Sequence, residues 1–307
     1  MSDMTSSSAS CYKVMLVWYS PAKCYESVNE NLNFFGLNPR RPLHSNGAWH
    51  KMKTQSVKTI ELQPMPDRLV VLTFDDGNKS DITYLAPLLK RYGFSATFFI
   101  TEGLNFLTNK EHYVTWEEVR RLHEDGFEIG NHTRHHENVN NQSREQLFAD
   151  VEHINLRCKE HGIPTPETFC YPGYNHGPEA VKILMEKGFL FARRGVAPEF
   201  RHNPEGGRGP AYDPTKHHPL LIPTTGAAGP NWSFDDFVWA IERARDGKIA
   251  VLTFHGVPAL EYLWVNTEPD VFETYMNYLR DNNYTVMALR DLTKYIDPIE
   301  ARTNSFN

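Results

Sequence analysis

Seven short apolar runs, each followed by a stretch of helical period, limit what this chain can fold into. The runs cover residues 69–74, 96–100, 127–130, 168–171, 189–192, 249–254 and 284–288. After the first, Ile82, Leu85, Leu88, Leu89 and Tyr92 recur at helical spacing, and Gly93 stops them. Thr115 to Glu118 and Ser143 to Gln146 have the form of capping boxes, opening helices that end at Gly126 and Gly162. Further helices are predicted over about 178–187, from a Ser233 cap through Ile241, over 271–279, and in a short closing turn. Strict alternation of strand and helix predicts an α/β chain built on a parallel sheet. Period alone leaves two forms open, a doubly wound sheet and a closed barrel.

Two segments break the alternation. Residues 194–231 are rich in Pro and Gly and too long for an ordinary connection, which reads as a functional loop or a partly disordered one. Residues 1–65 open with a Ser/Thr-rich stretch and hold no sustained period, which reads as a poorly ordered extension. Lys13 and Tyr19 bracket the apolar Met15 to Trp18 too tightly for a secretory signal. Met65 stands just before the first strong strand, as a start at that position would place it. The regular part then spans 66–297, with 298–307 as a tail.

Composition removes several function classes. Net charge is −6, against a strongly basic nucleic-acid binder. No apolar run reaches the roughly 18 residues of a membrane helix. Cys11, Cys24, Cys158 and Cys170 form neither a CxxC pair nor a disulfide framework.

Chemistry gathers where the strands end. The first run leads into Asp75-Asp76-Gly77, the third into His132-Thr133-Arg134-His135-His136, the fourth into Tyr171-Pro172-Gly173-Tyr174, the fifth into Arg193-Arg194, and the sixth into His255. In parallel α/β folds the carboxyl ends of the strands share one face, and that face carries the site. Taken singly, Asp75-Asp76-Gly77 is a turn and His255 a core histidine. Taken together, they bring carboxylates, imidazoles and guanidinium groups to one place. Adjacent carboxylates repel unless a cation lies between them or one is protonated. His132 and His136, at i, i+4 within a helical turn, would face one side. With one of the aspartates they make a two-histidine, one-carboxylate set that leaves positions open on a divalent ion. The other aspartate is free as general base, and His255 as general acid. Metal, base and acid together describe hydrolysis of an acyl bond.

Thr73-Phe74-Asp75-Asp76-Gly77, His132-Thr133-Arg134-His135-His136 and Leu252-Thr253-Phe254-His255 resemble the motifs of the polysaccharide deacetylases, carbohydrate esterase family 4, over about 69–296. The resemblance implies a distorted (β/α)7 barrel and a catalytic domain over 66–297. It implies Asp75 as base, His255 as acid, and a divalent cation on Asp76, His132 and His136. Zn²⁺ is the first choice of ion, with Co, Ni or Mn as alternatives. His135 matches no ligand position. The expected substrate is an acetylated glycan, with no nucleic-acid partner and no membrane span. Oligomeric state stays open. Relatives are often exported, yet no signal is legible, so the compartment also stays open.

The third motif departs from the family's Phe-Arg-Pro-Pro-Tyr-Gly, which here is Phe169-Cys170-Tyr171-Pro172-Gly173-Tyr174. Cys170 stands where the arginine that steadies the base belongs, and Gly173 stands where a backbone N–H completes the oxyanion hole. Arg193 or Arg194 is expected to supply the missing charge. Tyr171, Gly173, Tyr174 and Trp264 are expected at the substrate. Asp213, Asp235 and Asp236 are candidate partners for His255. Trp232 and Trp264 are candidate sugar platforms, and Trp116 and Trp239 packing residues. Three rival readings stand beside the deacetylase: a ring-opening amidohydrolase acting on allantoin-like or imide substrates, a carbohydrate-binding protein without activity, and a non-haem iron oxygenase. The intact acid, base and ligand set argues against the second, and the α/β alternation with an extra aspartate beside the ligand argues against the third.

Overall fold

Every residue of β1 (Leu69–Phe74) is buried, as a parallel strand covered on both faces requires. Alternate side chains go to opposite layers. Val70, Leu72 and Phe74 join the helices in an outer core, while Leu69 and Val71 join an inner one with Phe99, Cys170, Phe191, Ile222 and Val251. The computed structural model describes residues 61–304, and those from Leu62 onward form one compact unit. Of the expected extension over 1–65, residues 1–60 lie outside the described part.

The remaining strands are β2 (Thr97–Ile100), β3 (Glu128–Asn131), β4 (Thr168–Cys170), β5 (Phe191–Arg193), β6 (Gly207–Arg208), β7 (Gly226–Ala227), β8 (Ala250–Phe254) and β9 (Thr285–Met287). Between them lie α1 (Ala86–Tyr92), α2 (Trp116–Glu124), α3 (Arg144–Glu160), α4 (Pro178–Glu186), α5 (Phe234–Ile241) and α6 (Pro269–Asp281). Both expected capping boxes form, and Ser233 makes a third with Asp236. β5 sits about two residues later than its apolar run suggests. Gly188, at φ 82°, turns α4 off, and the Phe189 N–H bonds back to the Leu184 carbonyl, so Phe189 belongs to the helix end.

The sheet order is β5-β4-β3-β2-β1-β8-β7-β6. β6 and β7 are antiparallel, and every other pair is parallel. One edge of β1 is shared. Its first half (Leu69 to Val71) pairs with β9, and its second half (Thr73, Phe74) with β2. The two ends of the sheet are joined by the long segment. Ile222 exchanges backbone bonds with Ala192 and Arg194 beside β5, and Gly226–Ala227 pair with β8. Seven strands thus surround the inner core, as expected of a (β/α)7 barrel, but their membership differs from the sequence reading. The run at 284–288 pairs only with the start of β1, where Met287 joins the inner core. The closing strand comes from 194–231, which carries almost no apolar alternation and reads as a loop.

Candidate active site

Strand alternation sets the site. Leu69, Val71 and Thr73 face inward, so the next inward position is Asp75. By the same step Gly130 leads to His132, Phe191 to Arg193, and Val251 through Thr253 to His255. Asp75 stays on the ladder, its N–H bonded to the Phe254 carbonyl at 3.0 Å. The chain then turns sharply through Asp76 (φ 78°) and Gly77 (φ 71°). A Cβ on Gly77 would meet Phe106 at 3.1 Å and Ile100 at 3.2 Å, so the turn needs glycine for space as well as dihedral. Asp76 holds a left-handed conformation that branched or bulky residues avoid, a strain typical of functional sites.

The histidines do not lie on a helical turn. Thr133 (φ 62°) and His136 (φ 57°) are left-handed, and the loop is tied from inside. Asn131 Oδ1 accepts the Thr133 N–H at 2.9 Å, and Thr133 Oγ accepts the His136 N–H at 3.1 Å. These bonds, rather than helical period, bring the rings to 4.8 Å.

Asp76 Oδ1 lies 3.5 Å from His132 Nε2 and 3.3 Å from His136 Nε2. It is buried and has no hydrogen-bond partner among the described residues. Two ligand bonds of about 2.0–2.1 Å meeting at a tetrahedral angle put their donor atoms about 3.3–3.4 Å apart. The three atoms therefore fit a cation. His132 Nδ1 lies 2.8 Å from the Cys170 carbonyl, which can only accept, so Nδ1 carries the hydrogen and Nε2 faces the cluster. Burial holds the His136 pKa down at about 4, which keeps its ring neutral for ligation. Burial also opposes charge on His132, but Cys170, Asp76 and Asp75 outweigh it, so its pKa is raised. Burial raises the Asp76 carboxyl, and the imidazoles around it bring it well below the usual range.

His255 Nε2 stands 4.0 Å from Asp75 Oδ2 and 3.9 Å from Asp76 Oδ2. Arg193, fully buried, donates from Nη2 to both Asp75 oxygens at 2.7 and 2.5 Å. Burial pushes the Asp75 pKa up, and Arg193, His132 and His255 together bring it down. Asp75, Asp76, His132, His136 and His255 open into a cavity of about 190 Å³, also lined by Leu104, Gly173, Tyr174, His202, Tyr262 and Trp264. Larger surface hollows of about 450 and 550 Å³ gather no comparable ligand set among the described residues.

Several expectations need correction. Arg194 is buried but bonds Glu199 at 2.6 Å and the carbonyls of Gly195 and Ala197, on the opposite side of the strand end from Asp75. Tyr171 packs in a separate buried cluster with Phe169 and Phe189 and donates to the Leu220 carbonyl at 2.8 Å, away from the cavity. Trp232 is 5% exposed and packs on Tyr275 and Phe254, whereas Trp264 is 52% exposed at the cavity mouth. Asp213 is engaged by Thr215 and Lys216, and Asp236 by Ser233 and Arg208. His255 Nδ1 has no hydrogen-bond partner among the described residues. His135 bonds Asp150 at 2.7 Å, as befits a bystander. Leu104, His202 and Tyr262 were not singled out from the sequence. Tyr262 had a signal, lying two residues before Trp264 in the loop after β8, its ring 4.9 Å from the indole. His202, in the long segment, had none.

A family profile described as polysaccharide deacetylase matches residues 62–192. A peptidoglycan-N-acetylglucosamine deacetylase of Bacillus cereus is 31% identical over 129 residues, 41% of this chain and 56% of that protein. The chain spans about half the length of the first curated relatives it matches. The Xyl-CE4 domain of a multidomain xylanase, from the hindgut metagenome of Trinervitermes trinervoides, superposes with a TM-score of 0.51 at 18% identity, covering 76% of this chain and 94% of that one. A CE4 family pseudoenzyme from Bacillus anthracis superposes with a TM-score of 0.50 at 16% identity, covering 76% and 67%. These likenesses show the fold. Because one neighbour is a pseudoenzyme, activity has to be argued from the site.

Proposed function

We propose that this chain, which matches the polysaccharide deacetylase profile over residues 62–192, is a metal-dependent hydrolase removing acetyl groups from an acetylated carbohydrate. One observation carries the reading: Asp76, His132 and His136 converge to ligand spacing, with Asp75 and His255 about 4 Å from that cluster or from each other in the same cavity.

A divalent ion on Asp76, His132 and His136, zinc first and Co, Ni or Mn as alternatives, would polarise the acetyl carbonyl and acidify water there. Asp75, kept ionised beside Arg193, accepts the proton of the attacking water. Gly173 lines the cavity, and its N–H would serve the tetrahedral oxyanion. His255 Nε2 gives a proton to the departing amine or alcohol, and acetate leaves. Tyr174, Tyr262 and Trp264 present flat apolar faces on which a sugar ring can stack.

The small cavity and the changed third motif favour a ring-opening amidohydrolase as the second reading. Acetate release from acetylated oligosaccharides, run beside turnover of cyclic ureides and imides, separates the two. Acetate release that a chelator abolishes and zinc restores is the expected result. Turnover of the cyclic amides alone would replace the deacetylase by its rival. Among the described residues no helix is long and apolar enough to cross a membrane.

A further inference from the structure

The site reaches Asp75 with an arginine from a different strand than the family pattern provides. We infer that Arg193 of β5 is the positioning residue for Asp75, that Thr224 of the barrel-closing segment holds it there, and that Cys170 leaves it the room. The inference rests on the deacetylase reading for Asp75's role as base, but the contacts do not depend on it.

Arg193 lies wholly inside the barrel mouth. Nη2 reaches both oxygens of Asp75 and touches Cys170 Sγ, while Nη1 donates to Thr224 Oγ at 3.0 Å. The guanidinium carbon sits between two rings, 5.7 Å from the centre of Phe99 and 5.5 Å from that of Tyr174. Cys170 Sγ is 3.6 Å from Asp75 Oδ2, so position 170 adjoins the carboxylate directly. A long side chain at 170 and Arg193 would compete for one space, and the small thiol resolves the conflict in favour of Arg193.

Thr224 is fixed in turn. Its Oγ donates to the Arg194 carbonyl at 2.7 Å and lies 3.1 Å from Thr253 Oγ on β8. Its N–H bonds the Gly195 carbonyl at 3.3 Å. Arg193 is therefore clamped between β5 and the segment that joins β5 to β8. The adjacent backbone is shaped to match. A Cβ on Gly195 would fall 2.6 Å from Tyr174 Cβ, so Gly195 lets Tyr174 close over the guanidinium. Arg194 has the opposite orientation, as the next residue of a strand must.

The test compares steady-state kinetics, metal content and melting temperature. Arg193→Ala should retain its metal and lose about 10²-fold in kcat with KM changed less than about threefold, because a misaligned base acts on the chemical step. Thr224→Val should lose about tenfold in kcat in the same pattern. Adding Cys170→Arg to Arg193→Ala should restore at least about tenfold, by returning a guanidinium from strand β4. Equal kcat in Arg193→Ala and wild type, or no rescue by Cys170→Arg in a folded double variant, would overturn the inference.

A second arm needs no turnover. Arg193→Met leaves a buried carboxylate without its partner and should lower the melting temperature, and Asp75→Asn in that background should raise it again. Additive effects of the two changes would count against the pairing. If wild type releases no acetate from any glycan, the functional reading fails while this stability arm still decides the anchor.

Discussion

At the scale of single residues, charge decides the site. Asp75 and Asp76 are neighbours with different surroundings, one facing a guanidinium and the other two imidazoles. That difference supports the proposal of base for the first and ligand for the second. Asp75→Asn is expected to keep its bound metal and lose about 10²-fold or more in kcat, the scale of a lost general base; unchanged kcat would refute the assignment. Burial opposes charge on His132, but Cys170, Asp76 and Asp75 outweigh it and raise its pKa, so protons compete with a metal ion for Nε2. Calorimetry in buffers of different ionisation enthalpy should show protons released on metal binding, with affinity falling as pH falls. Release of none would contradict the pairing.

Asp81 behaves differently. It is fully buried, neither oxygen has a hydrogen-bond partner among the described residues, and burial together with Asp76 raises its pKa well above 3.8. The unfolded carboxyl ionises near that ordinary value while the folded one keeps its proton to higher pH. Between the two, the unfolded state binds fewer protons, so stability falls as pH rises. Asp81→Asn should therefore melt higher than wild type at pH 7, with the gain shrinking towards pH 3. An equal gain at both would mean that ionisation of Asp81 is not its cause.

At the scale of elements, most of this fold was open to reading. β1 and the helix boundaries followed from apolar runs, capping boxes and glycine stops, because each depends on neighbours in sequence. The inward set of Asp75, His132, Arg193 and His255 also followed from two-residue alternation once the strands were known. What stayed hidden depended on distant partners. Ile222 to Ala227 pair with β5 and β8 without any apolar alternation of their own, since Gly226 lies against Trp232 and Leu252. The choice between Arg193 and Arg194 turned on which face of β5 points inward, and Phe191 in the inner core sets that parity for Arg193. The fold of the His132 to His136 loop turned on Asn131 and Thr133 bonds that no period announces. Gly130 tests this layer: a Cβ there would fall 2.3 Å from the Phe99 ring beneath the site. Gly130→Ala should destabilise by about 1–3 kcal/mol, as an overpacked core does, read as a fall in denaturant midpoint at unchanged slope. An unchanged midpoint would show that the inner core yields freely at this level.

At the scale of the whole molecule, the barrel gathers strand ends from across the chain. Asp75 and His255 are brought together by the β1–β8 ladder, and His132 by β3. The long segment contributes His202 to the cavity and Thr224 to the Arg193 that holds Asp75, so the segment that closes the barrel also completes the site. The central claim is that one divalent ion is held by Asp76, His132 and His136. Metal analysis of purified protein tests it most directly, run beside His132→Ala/His136→Ala. Wild type should carry close to one ion per chain and the double variant none. Wild type that binds no divalent ion when supplied with it, or a double variant that holds it as well as wild type, would contradict that claim.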